Sequence, residues 1–180
     1  MSIQTTANTI RYSIRHAATR AAREQFLSVT VVALSDSHAR SIHELPPALI
    51  LALQSADIII HAGDHTEMSL LQELRQMGEV VAVAGNMDST ALKFQLPHRQ
   101  LVTINGRMVG VAHGSGAPTG IAGRVRALFL EKVDLIVFGH SHVQFCAAVD
   151  DTLMVNPGPA QKGYATITIG EEVAAELIST

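Results

Sequence analysis

An apolar run at residues 133–138, followed by Gly139-His140-Ser141-His142, constrains this chain more than any other stretch. Its β-branched residues and the glycine at its end predict a buried β-strand. One residue separates His140 from His142, a spacing that cannot lie on one face of a helix, whereas a loop leaving a strand can turn both rings into one cavity. A His-x-His pair alone more often marks surface or core histidines than a metal or catalytic site. Its meaning therefore depends on the residues at the ends of the other strands.

Three further apolar runs, at residues 29–34, 57–61 and 80–84, predict buried strands in the first half of the chain. Helices are expected between them, over residues 47–54 and about 67–77. This β-α-β-α-β order with short connections predicts a parallel sheet with right-handed crossovers. The polar residues that come after each strand are then expected to lie along one edge of that sheet.

The second half of the chain predicts a hairpin and several short strands. Asn105-Gly106, between apolar arms at 100–104 and 107–112, is typical of a type I′ turn. A helix over about 121–130 leads into the strand at 133–138. Four more strands are expected at 143–149, 152–155, 164–168 and 173–178. The whole pattern predicts an α/β fold with two sheets face to face and helices outside.

The composition narrows the class of protein. A chain of 180 residues that is 47% hydrophobic can form one well-buried domain. A net charge of -3 and 4% aromatic residues give no strong signal for nucleic-acid binding, and no apolar run approaches the roughly 20 residues of a membrane span. A single cysteine excludes an internal disulfide and fits a cytoplasmic location. Nine histidines are the first indication of a metal.

Residues 1–28 differ in composition from the rest and are predicted to form a basic extension, helical or disordered, before a domain at 29–180. Its arginines recur at helical spacing with apolar residues between them, and acids are absent before Glu24. This composition fits an organellar presequence or a basic surface helix, but also an appended tail without chemistry. The basic residues concerned are Arg11, Arg15, Arg20 and Arg23.

Seven polar side chains lie directly after five predicted strands, where ligands bind in open α/β sheets. Each acid alone could be a cap or turn residue, but five strand ends together argue against that alternative. Carboxylate, amide and imidazole groups suit manganese, iron, nickel, cobalt or zinc. Two divalent ions need about eight ligand positions, which seven side chains supply if Asp64 bridges ions roughly 3.5–4 Å apart. The seven residues are Asp36, His38, Asp64, Asn86, His113, His140 and His142.

The ordered motifs Asp-x-His, Gly-Asp, Gly-Asn-x-Asp, His-Gly and Gly-His-x-His resemble those of the calcineurin-like metallophosphoesterase superfamily. The nearest resemblance is to its small, capless phosphodiesterase branch in bacteria and archaea, which His61-Ala62-Gly63-Asp64 and Asn156-Pro157-Gly158 also resemble. The resemblance covers residues 29–180. It implies a four-layer αββα sandwich, with two mixed sheets flanked by helices.

The resemblance also implies a dinuclear site and a hydrolytic mechanism. A water or hydroxide bridging the two metals would attack the phosphorus of a small phosphodiester in line, releasing an alcohol and a phosphomonoester. Manganese is the first expectation for the metal, with nickel, iron, cobalt or zinc as alternatives, and homo-oligomerisation stays open. One ion would be held by Asp36, His38 and His142 and the other by Asn86, His113 and His140, with Asp64 between them.

The chain departs from the superfamily pattern at Met87 and Ser115, where many members have histidines. Methionine cannot transfer a proton, so the acid that protonates the leaving group is open. Asp88 and His65 are the candidate catalytic residues. Asp88 could instead orient an imidazole or cap a loop, and His65 could point to solvent. These departures leave a second hypothesis, a non-catalytic interaction scaffold on the same fold, like the small retromer subunit.

The remaining titratable residues carry weaker expectations. His61, at a strand end, is expected to be a buried hydrogen-bonding residue and Cys146 a small buried apolar one. His16, His43 and His98 have no partner at a suitable spacing. A substrate phosphate contact could come from Arg99, Arg107, Arg124 or Arg126.

Overall fold

The computed structural model describes residues 28–180 with their side chains, and the backbone of two strands that precede them. Their hydrogen bonding defines two β-sheets. The strands are β1 (Ser2–Thr6), β2 (Thr9–Arg15), β3 (Val29–Leu34), β4 (Ile58–His61), β5 (Glu79–Ala82), β6 (Arg99–Ile104), β7 (Arg107–Ala112), β8 (Leu135–Phe138), β9 (Phe145–Val149), β10 (Thr152–Asn156), β11 (Gly163–Ile169) and β12 (Glu172–Ser179). The helices of the described residues are α1 (Pro47–Gln54), α2 (Met68–Met77), α3 (Thr90–Gln95) and α4 (Ile121–Arg126), with a 3₁₀ turn at Ile42–Glu44.

The first sheet has seven strands in the order β1-β2-β12-β11-β3-β4-β5. Strands β3, β4 and β5 are parallel, joined through α1 and α2, and their register places Leu34 beside His61 and His61 beside Ala82. The loops after these three strands therefore leave the sheet side by side. The parallel unit predicted from the alternation of apolar runs and helices is confirmed.

The second sheet has five strands in the order β6-β7-β8-β10-β9. The predicted hairpin is present as β6 and β7, and its turn residues Asn105 and Gly106 have φ angles of 47° and 75°, as a type I′ turn requires. Strand β8 pairs in parallel with both β7 and β10, while β9 is antiparallel to β10. Both sheets are therefore mixed.

Apolar side chains from the two sheets meet in a central core, and separate clusters lie under the helices. Val31 and Ile60 of the first sheet and Val111 and Val137 of the second are fully buried in the central cluster. Burying each such side chain stabilises the fold by about 1.5–3 kcal/mol. Helices α1 and α2 cover the outer face of the first sheet and α4 that of the second. The expected α/β sandwich of two mixed sheets flanked by helices is confirmed.

The prediction that residues 1–28 are helical or disordered is wrong where the structure describes them, because Ser2–Thr6 and Thr9–Arg15 are strands. In the second strand, apolar residues at 10, 12 and 14 alternate with polar ones, a period of two that competes with the arginine spacing. Its register with β12 also sets Arg11 opposite Glu176. Residues 1, 7–8 and 16–27 lie outside the described residues, and the domain boundary at residue 28 stays a prediction.

Two helices differ from expectation. Helix α4 ends at Arg126 instead of near residue 130, because the chain tightens there into i→i−3 bonds from Leu128 N–H to Val125 O and from Phe129 N–H to Arg126 O. Helix α3 was not predicted. It begins after Ser89, whose side chain accepts a hydrogen bond from Leu92 N–H, a capping signal that the sequence does contain.

A candidate dinuclear metal centre at the strand ends

Backbone hydrogen bonds tie the loops after the strands of both sheets together. Asp36 N–H donates to Gly63 O at 3.0 Å and His38 N–H to Asp64 O at 3.1 Å, which joins the loops after β3 and β4. Gly139 N–H donates to His113 O at 3.1 Å, which joins the loops after β7 and β8. Four of the ligand-bearing loops are therefore braced in pairs, those after β3 and β4 in the first sheet and those after β7 and β8 in the second.

Five of the seven predicted ligands have a left-handed backbone, with φ angles of 49° at Asp36, 45° at His38, 58° at Asp64, 69° at His140 and 55° at His142. Such angles are uncommon outside glycine and cost of order 1–3 kcal/mol each. Strain of this kind persists where the surroundings enforce it, and it concentrates at functional sites. The clustering of strained residues at one edge of the fold indicates a site there.

The buried part of the site is formed by Asp36, Asp64 and His113, whose ligand atoms all lie within 4.8 Å of one another. His113 Nε2 is 3.3 Å from Asp64 Oδ2 and 3.9 Å from Asp36 Oδ1. His113 Nδ1 donates to Ala62 O at 2.7 Å, which fixes the ring and directs Nε2 towards the two carboxylates.

The ionisation of this buried pair is coupled. Burial alone would raise the pKa of Asp64, but hydrogen bonds from His113 and from Met87 N–H outweigh it and lower that pKa. Burial alone would lower the pKa of His113, but its hydrogen bond to Asp64 and the charges of Asp64 and Asp36 outweigh it and raise that pKa. An ion bound here would take the place of the Nε2 proton.

The exposed part of the site shares Asp36 with the buried part. Asp36, His38 and His142 also place ligand atoms within 4.8 Å of one another, with His142 Nε2 3.3 Å from Asp36 Oδ1. The His142 side chain is 53% exposed, whereas that of Asp36 is fully buried. Two hydrogen bonds hold the Asp36 carboxylate, from Ser35 Oγ at 2.7 Å and from His140 N–H at 3.1 Å.

The remaining two predicted ligands, Asn86 and His140, adjoin the buried part through His113. Asn86 Oδ1 lies 3.1 Å from His113 Nε2 and 2.9 Å from His140 Nδ1. All seven predicted side chains are therefore brought to one edge of the molecule. Since Asp36 belongs to both three-residue groups, it reaches both halves of the site, and the prediction that Asp64 is the bridging ligand stays a prediction. Carboxylate, amide and imidazole donors without a thiolate fit divalent transition metals.

Asp88 and His65, the candidate catalytic residues, lie buried beside the ligand loops. Asp88 Oδ2 is 3.3 Å from His65 Nδ1 and accepts Gly85 N–H at 2.7 Å, while Asp88 Oδ1 accepts Thr66 N–H at 2.8 Å. Burial would raise the pKa of Asp88, but the hydrogen bonds from His65 and Gly85 outweigh it and hold that pKa at about 2. These are the contacts of a side chain that orients an imidazole and fixes a loop. The alternative that His65 points to solvent is wrong, because its side chain is fully buried.

His61 stacks on His65 with ring centroids 3.6 Å apart. Its Nε2 is 2.9 Å from Ser37 Oγ, and burial, followed by the charge of His65, holds the pKa of His61 well below its usual range. His61 is therefore a neutral, buried hydrogen-bonding residue. It fixes Ser37, which stands between two of the predicted ligands.

Two glycines leave the space that the ligands occupy. A Cβ at Gly63, whose φ is 93°, would meet the His113 ring at 2.7 Å. A Cβ at Gly85 would overlap Asp64 Oδ1 and the Asp64 backbone nitrogen. The Gly-Asp and Gly-Asn motifs therefore have a steric basis, because a larger residue at either position would displace a predicted ligand.

Met87 and Ser115 stand where the resemblance implies histidines, and each contributes a backbone group to a hydrogen bond. Met87 is 60% exposed, and its N–H donates to Asp64 Oδ1 at 2.7 Å. Ser115 is exposed, and its carbonyl accepts Arg124 Nη2 at 3.3 Å. Arg124 also donates to the carbonyls of Ala117 and Thr119, so it braces this loop from within.

Sequence reasoning missed two side chains near the predicted ligands. Lys93 and His98 line a cavity together with Asn86 and His113. Lys93 lies on α3, which was not predicted, and His98 has no spacing that would distinguish it from a surface histidine. The capping signal of Ser89 is the one sequence feature that could have placed Lys93 near Asn86.

Comparison with known proteins shows the family of this chain. Residues 29–172 match the family model of the calcineurin-like phosphoesterase superfamily domain. The chain belongs to that superfamily. It is 34% identical over 154 residues to a probable metallophosphoesterase of Methanocaldococcus jannaschii, a match that covers 81% of this chain and 78% of the relative. A Thermotoga maritima protein solved by NMR superposes with a TM-score of 0.68 at 30% identity, covering 84% of this chain and 99% of that one.

Two more distant structures share the fold. A novel archaeal phosphodiesterase superposes with a TM-score of 0.61 at 19% identity, covering 78% of this chain and 99% of that one. The Entamoeba histolytica Vps29 complexed with Zn²⁺ superposes with a TM-score of 0.65 at 19% identity, covering 82% of this chain and 91% of that one. The helices within the described part of the chain lack the length and apolar content that a membrane crossing needs.

Proposed function

We propose that this metallophosphoesterase hydrolyses small phosphodiesters at a centre of two divalent ions. The observation that carries the proposal is the convergence of two three-residue donor groups on Asp36, one buried and one open to solvent. A substrate phosphate can approach ions held at the open half, while the buried half keeps the geometry fixed. A novel archaeal phosphodiesterase has the same fold, which shows that this fold can carry such an activity.

The ligand assignment follows the motifs that resemble those of the superfamily. One ion would be held by Asp36, His38 and His142 and the other by Asn86, His113 and His140, with Asp64 between them; manganese is the first candidate, followed by nickel, iron, cobalt and zinc. Two such ions, when bound, would lower the pKa of a coordinated water molecule and stabilise the charge that develops on the phosphoryl oxygens. In the hydrolysis, a water oxygen bonds to phosphorus, the bond to the ester oxygen breaks, and an alcohol leaves with a proton.

The chain's own residues position these groups. Ala62 O fixes the His113 tautomer by accepting its Nδ1 proton, and Ser35 Oγ with His140 N–H fixes the Asp36 carboxylate. Asp88 carries no proton near neutral pH, since its pKa is about 2. We infer that Asp88, with His65, is a positioning residue: it holds Gly85 N–H and thereby the loop that presents Asn86. Neither side chain is assigned as the acid.

An interaction scaffold on the same fold is the second candidate. Met87 and Ser115 remove two family histidines, and the fold is shared with a Vps29. Because that Vps29 structure itself contains Zn²⁺, metal binding alone does not separate the two candidates. Catalytic turnover separates them.

The test is hydrolysis of bis(4-nitrophenyl) phosphate and of 4-nitrophenyl phosphate by metal-stripped protein. Mn²⁺, Ni²⁺, Zn²⁺ and Mg²⁺ are added back separately, and Asp64→Ala is run beside the matched control Asp151→Ala at an exposed turn. We expect metal-restored diester cleavage that Asp64→Ala lacks and Asp151→Ala retains. Silence with every metal, despite two bound ions, would favour the scaffold, and full turnover by Asp64→Ala would refute the site.

A further inference from the structure

A cavity of about 320 Å³ opens on the Asn86 and His113 side of the candidate centre. Its wall also contains Lys93, His98 and Leu128. Ligand pockets that take a whole drug-sized molecule measure about 300–1,000 Å³. The volume of this cavity lies at the lower end of that range. It therefore suits one short arm of a substrate whose phosphate lies at the neighbouring ligands.

Lys93 is anchored where it borders the site. Its Nζ donates to Asn86 O at 2.7 Å, and its own backbone N–H donates to Ser89 O at 3.0 Å in the first turn of α3. An ammonium group has three N–H donors, so the bond to Asn86 leaves capacity for an anion. The ammonium charge is thereby fixed to the backbone of a predicted metal ligand.

His98 reaches the same cavity from the opposite end of the α3 segment. The preceding residue, Pro97, accepts Ala84 N–H through its carbonyl at 2.9 Å, which ties this segment to the chain directly before Gly85. The imidazole supplies an N–H donor on a short, stiff side chain. Two donors of different reach therefore border one cavity, and none of its lining residues among 28–180 carries a carboxylate.

A second cavity, of about 250 Å³, has a different chemistry. It lies beside the loop of His140 and His142 and is lined mainly by apolar residues, among them Ile121, Phe138 and Phe145. A charged arm would lose its hydration there without a compensating charge, which is costly. The two cavities thus differ in the arm that each can accept.

We propose that the cavity lined by Lys93 and His98 binds a second anionic group, phosphate or carboxylate, carried on one ester arm of the phosphodiester substrate. The proposal rests on the proposed function, since the scissile phosphate is placed at the metal ligands. Leu128, 47% exposed, provides the apolar wall against which a short carbon linker packs. Lys93 and His98 are then specificity-determining residues.

The test compares three phosphodiesters in the metal-loaded protein. One is bis(4-nitrophenyl) phosphate, whose two arms are neutral. The other two keep one 4-nitrophenyl arm, and their second arm ends in a phosphate or in a carboxylate. The variants are Lys93→Ala, His98→Ala and their combination, with Lys162→Ala as the matched control at an exposed lysine. Charged hydrogen bonds of this kind are worth about ten- to hundred-fold in affinity. We expect the double variant to lose about that factor in kcat/KM, chiefly through KM, for the substrates with an anionic second arm relative to bis(4-nitrophenyl) phosphate, whose two arms are neutral.

Binding of each diester is monitored in parallel by NMR through the amide resonances of residues 84–86 and 98. An equal loss for the substrates with anionic and with neutral arms, or no loss in the double variant, would overturn the proposal. If the wild type cleaves none of the substrates but binds those with an anionic second arm through Lys93, the cavity assignment stands and the proposed hydrolysis fails. If it cleaves all three without preference and binds all three equally, the hydrolysis stands and the cavity assignment fails.

Discussion

The two halves of the candidate centre share Asp36 and differ in almost everything else. In the buried half, the side chain of His113 is 3% exposed and that of Asp64 also 3%. In the exposed half, His142 is 53% exposed and His38 is exposed too. In the buried half, the hydrogen bond from His113 Nδ1 to the Ala62 carbonyl fixes the imidazole. In the exposed half, the His142 side chain is open to solvent. Under the proposed function, the buried half would set the geometry and the exposed half would admit the phosphate.

Exchange of the shared ligand should have the largest effect. Asp36→Asn keeps the shape of the side chain but removes the charge on which both three-residue groups converge. We expect the ion at Asp36, His38 and His142 to bind poorly and the ion on the His113 side to weaken as well. Loss of an outer-shell partner costs about 10–100-fold, and we expect more than that in kcat/KM here. Metal content after dialysis and turnover of the aryl diester measure the effect, with Asp151→Asn as the control. Two tightly bound ions in Asp36→Asn would contradict the sharing of Asp36.

A methyl group at Gly85 should damage the buried half alone. The added Cβ would overlap Asp64, and since a residue there cannot move without displacing the ligand, we expect a loss of stability of about 1–3 kcal/mol together with loss of turnover. The matched control is Gly123→Ala in α4, where no atom lies within 4 Å of the new Cβ and helix propensity favours alanine by about 1 kcal/mol. Thermal unfolding of both variants decides the point. Equal stability would show that the buried half adapts.

Loss of a ligand from the exposed half should be milder. His142→Ala removes a half-exposed imidazole and leaves Asp36 and His38 in place, so we expect one ion to stay tightly bound. The other should weaken by at least the roughly 10–100-fold that loss of an outer-shell partner costs. Metal titration of the stripped protein measures both affinities. The control is His43→Ala, at an exposed histidine of the 3₁₀ turn. Loss of both ions from His142→Ala would remove the distinction between the halves.

The sequence predicted which residues gather at this site because each one directly follows an apolar strand, a pattern that is visible over a few consecutive residues. Buried strands such as Val29–Leu34 are apolar throughout, and the polar residue that ends each one must lie at the sheet edge. The sharing of Asp36 by both halves depends on loop conformations, including φ angles near 50°, that no residue pattern specifies. Strand Thr9–Arg15 was misread because its arginines fit a helical period while its apolar residues fit a period of two. Pairing with β12 resolves that conflict, and pairing is a property of the folded chain.

Asp88→Asn should have the smallest effect, and it tests how the buried half is supported. The variant places an amide where Gly85 N–H and Thr66 N–H both need acceptors, so one donor is left poorly satisfied at a cost of about 1–3 kcal/mol.

The pKa of Asp88 is lowered to about 2, so the stability that its carboxylate contributes is fully present above the unfolded value near 3.8 and is lost as the pH falls towards 2. The difference in unfolding free energy between wild type and Asp88→Asn should therefore be constant above about pH 4 and shrink below it. Denaturant unfolding between pH 2 and 7 gives this difference directly. A difference that persists unchanged down to pH 2 would mean that the Asp88 charge does not hold the loop, and the support of Asn86 would have to come from its imidazole neighbours.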